Sequence, residues 1–571
     1  MMQKRTDAWA EITNLPQIIK VNGSRFQSSV AVDSVDGTSY TYREFERATT
    51  FLASMMHSAG IGKGDQVAIL AENSPHWGIA YFAILATGAT TVPILPDFQG
   101  REVTSILEHA GARALFISGK LKGRVAGGIP AEIELVFNLD NFQVLDIQEG
   151  MLGSTSHAGE KLEKLHVTGD QFPGEEAFYR AAPDDIAAII YTSGTTGQSK
   201  GVMLTHDNIL SNAKQSGTIH EVVPEDRFLS MLPLAHTYEG TICFVVPLLN
   251  GARVLYLDKP PTPTVLAPVL QELRPTTILT VPLIIEKIFA ARIKPSLYGS
   301  PLMKTLMRFG PARRLLSRMA VKKLLAFFGG ALRFYGIGGA PLAPEVEEFL
   351  KDGKFPYAIG YGLTETSPMI AGFGPEKAVF RSVGTILEGV TLKIDSPDPV
   401  TGEGEIVVAG PNVMKGYFKD PGRTEEVFTE DGFFRTGDLG YINDRGILFI
   451  RGRLKNMILG ANGENIYPEE IEAVINREEI VNESLVMQSS GKLVAMVHLR
   501  VEVLEERFKH LKENAADFQH LLQEKAEEIL DELLIHVNQH VSRNSRLQLM
   551  ILQLQPFEKT PTLKIKRFLY K

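Results

Sequence analysis

With 571 residues, the chain is long enough for several domains of roughly 100–200 residues each. Its 44% hydrophobic and 22% charged residues suit a globular enzyme with a large core and exclude a disordered or fibrous class. A formal net charge of -8 argues against a nucleic-acid binder, and the lone Cys243 excludes an internal disulfide or a cysteine zinc site.

The first residues are charged and lack the apolar core of a signal peptide. Apolar spacing at Phe45, Phe51, Leu52, Met55 and Met56 predicts a helix over 40–57. A turn at Gly62–Gly64, a strand at Val67–Ala71, a helix at Trp77–Leu85 and a strand at Thr91–Ile94 follow. Strands alternating with helices predict parallel α/β layering, continuing through 113–146. The polar span from about 150 to 180 reads as a surface connection.

Ile186–Ile190 reads as a short buried strand, and it leads into Tyr191-Thr192-Ser193-Gly194-Thr195-Thr196-Gly197-Gln198-Ser199-Lys200-Gly201. The glycines allow tight turning and close approach to a ligand. Hydroxyls, freed N–H groups and one lysine suit phosphate oxygens. A flexible linker would not place one lysine at the end of such a run. The nucleoside-triphosphatase P-loop spacing is not met either, because Gly194 and Gly197 stand too close and Gly201 follows the lysine. Thr205 or Asp207 is expected to cap a helix just beyond.

Phe228–Gly240 carries His236 past an apolar strand, where a structural role is the commoner one for a lone histidine. No uninterrupted apolar run reaches the ~18 residues of a membrane-spanning helix. The nearest, Thr241–Leu257, is broken by Pro247, Asn250, Gly251 and Arg253. The chain is therefore expected to be cytoplasmic, with a peripheral place on the inner face of the membrane as the second expectation. Residues 291–333 hold ten basic residues and no acid, with leucines, methionines and Phe327-Phe328 interleaved. A solvated basic helix and a helix meeting an anionic membrane stand level as readings.

Leu332–Ala340 reads as a strand ending in a glycine turn at Gly339, and Gly360-Tyr361-Gly362-Leu363-Thr364-Glu365 follows. Short strands then surround Thr436-Gly437-Asp438 and Arg453-Leu454-Lys455. Pro468 marks a helix start, 501–545 a charged amphipathic helical region, and Phe557–Arg567 a basic C-terminal segment.

These stretches, in this order, resemble the adenylate-forming superfamily of acyl-CoA synthetases, luciferases and peptide-synthetase adenylation domains. The likeness spans residues 40–571 and is closest to bacterial long-chain fatty acyl-CoA synthetases. It implies an α/β fold: a large N-terminal AMP-binding domain of several subdomains over 1–452, and a small mobile α+β domain over 453–571. It implies that Thr192, Ser193, Gly194, Thr195, Thr196, Gly197 and Lys200 hold the triphosphate. Gly339, Ala340, Tyr361 and Gly362 would serve adenine, with Arg453 also in the nucleotide site. By the same likeness Thr364 contacts phosphate, Glu365 holds Mg2+ with help from Thr192, and Asp438 accepts from the ribose hydroxyls. His236 lines the carboxylate pocket, Lys455 is the hinge and Lys564 is the catalytic lysine, with Lys559 and Lys566 as weaker candidates. Amino-acid-activating relatives carry an aspartate just after the His236 position. His236-Thr237-Tyr238-Glu239 stands here instead, which favours an uncharged acyl tail. The implied activity is ATP-dependent formation of a fatty acyl-adenylate and transfer to coenzyme A. Transfer to acyl carrier protein, or a non-catalytic lipid or nucleotide sensor on the same fold, are the alternatives.

Overall fold

The computed structural model describes residues 9, 11–145, 147–148, 151–152, 180–192, 199–257, 261–459, 465–478, 480–489, 491–507, 518–559 and 565–570. The expected helix after Tyr40 forms as Tyr42–Ser58. Its N-terminus is closed reciprocally: Thr41 Oγ1 accepts from the Glu44 N–H, and the Glu44 carboxylate accepts from the Thr41 N–H. Phe45, Leu52, Met55 and Met56 are buried, whereas Phe51 is 54% exposed. Six residues beyond Phe45, Phe51 lies about 240° around the helix, away from the core.

Strands Gln66–Leu70, Thr90–Ile94 and Ala112–Ile117 then pair in parallel. The intervening helix Pro75–Ala86 buries every residue except His76. A helix apolar on all sides needs cover on all sides. It touches strands Gln66–Leu70 and Thr90–Ile94 of one sheet and Val30–Ser34 of the other. At Gly78 a Cβ would come within 3.2 Å of the Phe244 and Phe45 rings, so glycine lets those rings pack closely on the helix.

One sheet has eight strands, in the order Gly416–Tyr417, Lys200–Thr205, Ile186–Thr192, Thr90–Ile94, Gln66–Leu70, Ala112–Ile117, Leu135–Asn138, Val144–Leu145. The other has thirteen and brings Arg227–Ser230, Thr277–Thr280, Phe334–Ile337 and Tyr357–Gly362 together in parallel before continuing antiparallel to Ile447–Arg453 and Phe434–Ile442. The interrupted run Thr241–Leu257 is buried as a π-helical turn, a short helix and the strand Arg253–Tyr256. Cys243 within it is fully buried, and burial holds its thiol pKa well up. No helix among the described residues is long and apolar enough to cross a membrane.

After a 3₁₀ turn at Leu454–Asn456 the chain builds a separate three-stranded sheet, Val481–Ser489, Lys492–Leu499 and Leu549–Leu552. Helices Pro468–Ile475 and Phe518–His540 pack on it, and Ile471, Ile475, Val497, Leu530, Leu533 and Val537 form part of its own core. Pro468 is the first residue of its helix, where its missing N–H costs nothing.

Candidate active site

The expected phosphate stretch is the mouth of an antiparallel hairpin. Strand Ile186–Thr192 pairs with Lys200–Thr205, Thr192 facing Lys200 and Tyr191 facing Gly201. Ser193, Gly194, Thr195, Thr196 and Gly197 lie outside the described residues. A Cβ at Gly201 would stand 2.9 Å from Ile189 Cγ2, so a larger residue there would have to displace that side chain. Thr205 is the cap that begins helix His206–Ser216: its Oγ1 accepts from the Asn208 N–H at 3.0 Å, and Asn208 Oδ1 accepts from the Thr205 N–H at 2.9 Å.

Lys200 sits half-buried with its ammonium 4.8 Å from the centre of the Tyr417 ring. Tyr417 Oη donates to Glu365 Oε1 at 2.9 Å. Burial lowers the Lys200 pKa; the Glu365 charge opposes this, while Arg423 and Lys455 reinforce it. An anion brought between these cations would relieve that crowding. Residues 200, 365, 417 and 455 thus converge from four parts of the chain. Tyr417 had no role in the sequence reading. It arrives because Gly416–Tyr417 is the edge strand beside Lys200–Thr205.

A second cluster forms where strands Phe434–Ile442 and Ile447–Arg453 pair, with Asp438 opposite Arg453. Asp438 is 4% exposed; its Oδ2 accepts from Tyr361 Oη at 2.7 Å and its Oδ1 from Arg453 Nε at 2.8 Å. Arg453 Nη1 also donates to the Thr436 carbonyl at 3.2 Å. These two contacts on opposite oxygens hold the carboxylate in one orientation. Asp438→Asn loses the charge that fixes Arg453 and one acceptor. It should raise the KM for ATP by about 10²-fold, two charge-assisted hydrogen bonds being weakened. Tyr361→Phe keeps the ring and should change it only a few-fold. Initial rates of ATP–pyrophosphate exchange compare the two.

The Gly338–Ala340 turn follows strand Phe334–Ile337, with Gly339 at φ +84°. Gly339 and Ala340 are exposed, and the Tyr238 ring packs on Gly338, where a Cβ would come within 3.2 Å. His236 Nδ1 accepts from the Tyr238 N–H at 3.2 Å. In the neutral ring the proton is then on Nε2. Gly362, Thr364 and Glu365 follow on the strand and 3₁₀ turn after Tyr361.

Glu239 does not line the neighbouring apolar cavity. It is fully buried, and its Oε1 accepts from Ser230 Oγ at 2.6 Å and the Met231 N–H at 3.1 Å. The neighbouring apolar cavity is lined instead by Trp77, Tyr81, Leu234, Thr237, Thr241 and Phe244. Burial raises the Glu239 pKa from 4.5 to about 7. The folded state therefore holds this proton more tightly than the unfolded chain. The resulting stability is full below pH 4.5, falls as pH rises, and is gone above about 7. Glu239→Gln cannot ionise, so urea melts should show it gaining on the wild type between pH 5 and 8, by on the order of 2–3 kcal/mol.

Among the described residues no three His, Cys, Asp or Glu side chains form a metal cage. Mg2+ does not need one: it is commonly bound through one or two carboxylates, substrate phosphates and water. Glu365, beside Lys200 and at the hairpin mouth near Thr192, fits that donor set. Lys564 lies outside the described residues. Both weaker candidates are engaged elsewhere, Lys559 Nζ with Glu483 at 2.5 Å and Lys566 Nζ with Glu558 at 3.9 Å. Lys455 is exposed in the turn Leu454–Asn456.

A hairpin lysine, a glycine turn and a Tyr–Asp–Arg cluster are the features that the resemblance to adenylate-forming enzymes implies. The chain belongs to the family of AMP-binding enzymes, whose family model matches residues 19–418. It is 32% identical over 516 residues to Long chain acyl-CoA synthetase 6, peroxisomal, of Arabidopsis thaliana, covering 82% of this chain and 70% of that one. It is 29% identical to the Long-chain-fatty-acid--[acyl-carrier-protein] ligase AEE15, chloroplastic, of the same plant, over 80% of this chain and 72% of that one. In fold it is similar to ATP-bound MatB from Rhodopseudomonas palustris, with a TM-score of 0.73 at 23% identity and 98% of each chain covered.

Proposed function

We infer that this chain is a long-chain fatty acid–CoA ligase of the AMP-forming, acid–thiol class. The observation that carries the reading is the meeting of Lys200, Glu365 and Tyr417, joined through the strand and turn of residues 357–366 to the Tyr361–Asp438–Arg453 cluster. A fatty carboxylate oxygen attacks the α-phosphorus of ATP, and the bond to the bridging oxygen breaks to release pyrophosphate. The thiolate of coenzyme A then attacks the acyl carbon, and AMP leaves. The first step joins two anions, so positioning and electrostatics carry most of the rate.

Lys200 and the hairpin residues from Thr192 to Gly197 hold the phosphates. Tyr361, Gly362 and the Gly339–Ala340 turn face adenine, and Asp438, held by Arg453, accepts from the ribose. Thr364 contacts phosphate, and His236 lines the pocket for the substrate carboxylate. Glu365 and Thr192 would hold Mg2+, which neutralises phosphate charge when bound. Lys564 meets the carboxylate and the α-phosphate as they join.

Pyrophosphate exchange into ATP tests the reading. It should depend on medium or long fatty acids and not on amino acids, since a buried ammonium without a partner is costly. Exchange driven by amino acids alone would overturn it. Acyl carrier protein is the second acceptor to test, because one similar protein is a ligase for that carrier. Product formation with each thiol separates the two.

A further inference from the structure

The ten basic residues of 291–333 divide into two sets. Four turn inward or are engaged. Arg313 Nε meets Asp352 at 2.6 Å and its Nη1 meets Glu348 at 3.0 Å, Arg333 pairs with Asp226, and Lys294 with Glu345 at 3.3 Å. The Arg292 guanidinium lies 4.3 Å from the Phe327 ring centre.

The other six, Lys304, Arg308, Arg314, Arg318, Lys322 and Lys323, are exposed on helices Pro301–Arg308 and Gly310–Phe327. Among the described residues only Arg314 has a carboxylate within ion-pair reach, Asp352 at 3.9 Å. Between these cations stand Leu302, Phe309, Leu315 and Met319, exposed by 70%, 62%, 61% and 58%. Along Gly310–Phe327 the exposed positions recur at three- and four-residue steps as Pro311, Arg314, Leu315, Arg318, Met319, Lys322, Lys323 and Ala326. That stripe holds no acid and no uncharged polar residue. The opposite side buries Ser317, Ala320, Val321 and Leu324.

A helix that only covers a core turns its apolar residues inward and mixes both charges outside. Here large apolar side chains face outward within a purely cationic field. Such a face suits a bilayer surface, where lysine and arginine meet headgroup phosphates and apolar side chains enter the acyl boundary. We propose that the outer face of these two helices docks on an anionic lipid bilayer. A second copy of the same face is a poor partner, since it would bring cation against cation. The chain as a whole carries -8, so a cationic face on it orients the molecule towards anionic lipid.

The test uses the full chain sedimented with phosphatidylcholine vesicles, with and without phosphatidylglycerol, from ~50 to ~500 mM salt. Binding should require the anionic lipid and weaken steeply with salt, because exposed charges are screened over ~8 Å at physiological ionic strength. Reversal of Arg314, Arg318, Lys322 and Lys323 to Glu should lower vesicle affinity by at least about 100-fold, since each basic residue near the surface contributes roughly a factor of five. Leu302→Ser with Leu315→Ser and Met319→Ser should lower it about 10-fold and leave the salt dependence in place. Both variants should keep pyrophosphate exchange with a short soluble fatty acid, which shows that they fold. No binding by the wild type at low salt, equal binding by the charge-reversed variant, or self-association through this face that excludes vesicles would each overturn the proposal.

Discussion

Replacing Lys564 by alanine is expected to slow acyl-adenylate formation by about 10²–10³-fold, the scale for losing one preorganised electrostatic donor. Conversion of supplied acyl-adenylate to thioester should stay near the wild-type rate. The asymmetry follows from charge. A carboxylate and a triphosphate meet in the first half-reaction, and that repulsion is gone once the adenylate exists. Lys455→Pro should do the reverse. Leu454–Asn456 is a short turn between two anchors: Arg453 is tied to Asp438, and Asn456 Nδ2 donates to Glu469 Oε1 at 2.6 Å. Any rotation between the nucleotide cluster and helix Pro468–Ile475 must pass through those residues. Proline fixes φ near −65° and removes an N–H, so rotation is hindered and thiol transfer should fail while adenylate still forms. Single-turnover assays of each half-reaction read both variants. Equal loss of both half-reactions in both folded variants would refute the two-conformation mechanism.

Gly362→Ala should be nearly as damaging, although it removes no functional group. A Cβ there would lie 1.8 Å from the Pro368 carbonyl oxygen and 2.7 Å from its carbon, both backbone atoms that cannot rotate away. That oxygen accepts from the Leu363 N–H at 3.0 Å and from Thr366 Oγ1 at 2.6 Å, closing the turn that carries Thr364 and Glu365. Forcing the strands apart displaces both residues from Lys200 and Tyr417. ATP–pyrophosphate exchange should fall by at least about 10²-fold, since small displacements of positioning groups are that costly. The melting temperature should drop by several degrees, as overpacking typically costs ~1–3 kcal/mol. Gly422→Ala, where a Cβ meets nothing within 4 Å, is the control and should leave both unchanged. Wild-type exchange by Gly362→Ala would mean that the turn can relax and does not hold the site.

Much of the local structure was legible from residue order. A short apolar run, a capping residue type and a proline start predicted the strand at Ile186, a cap at Thr205 or Asp207, of which Thr205 is the one observed, and the helix at Pro468, because these depend on neighbours a few residues away. Spacing alone misplaced Phe51, since periodicity says that a helix has a buried face and not how wide it is. Composition marked 291–333 as basic. It could not separate Arg313, turned to Asp352, from Arg318 on the outer face, because the helix Pro344–Gly353 that supplies the acid comes later in the chain.

The site divides in the same way. Motif order by itself determined the family and the reaction class, and it named the residues proposed to serve it. Only the tertiary structure decided that Tyr417 bridges Lys200 and Glu365, that Arg453 holds Asp438, and that Glu239 serves Ser230 and not a substrate ammonium. Those contacts follow from which strands lie side by side, and strand order comes from burying the apolar faces of the whole sheet at once, so no local stretch of sequence contains it.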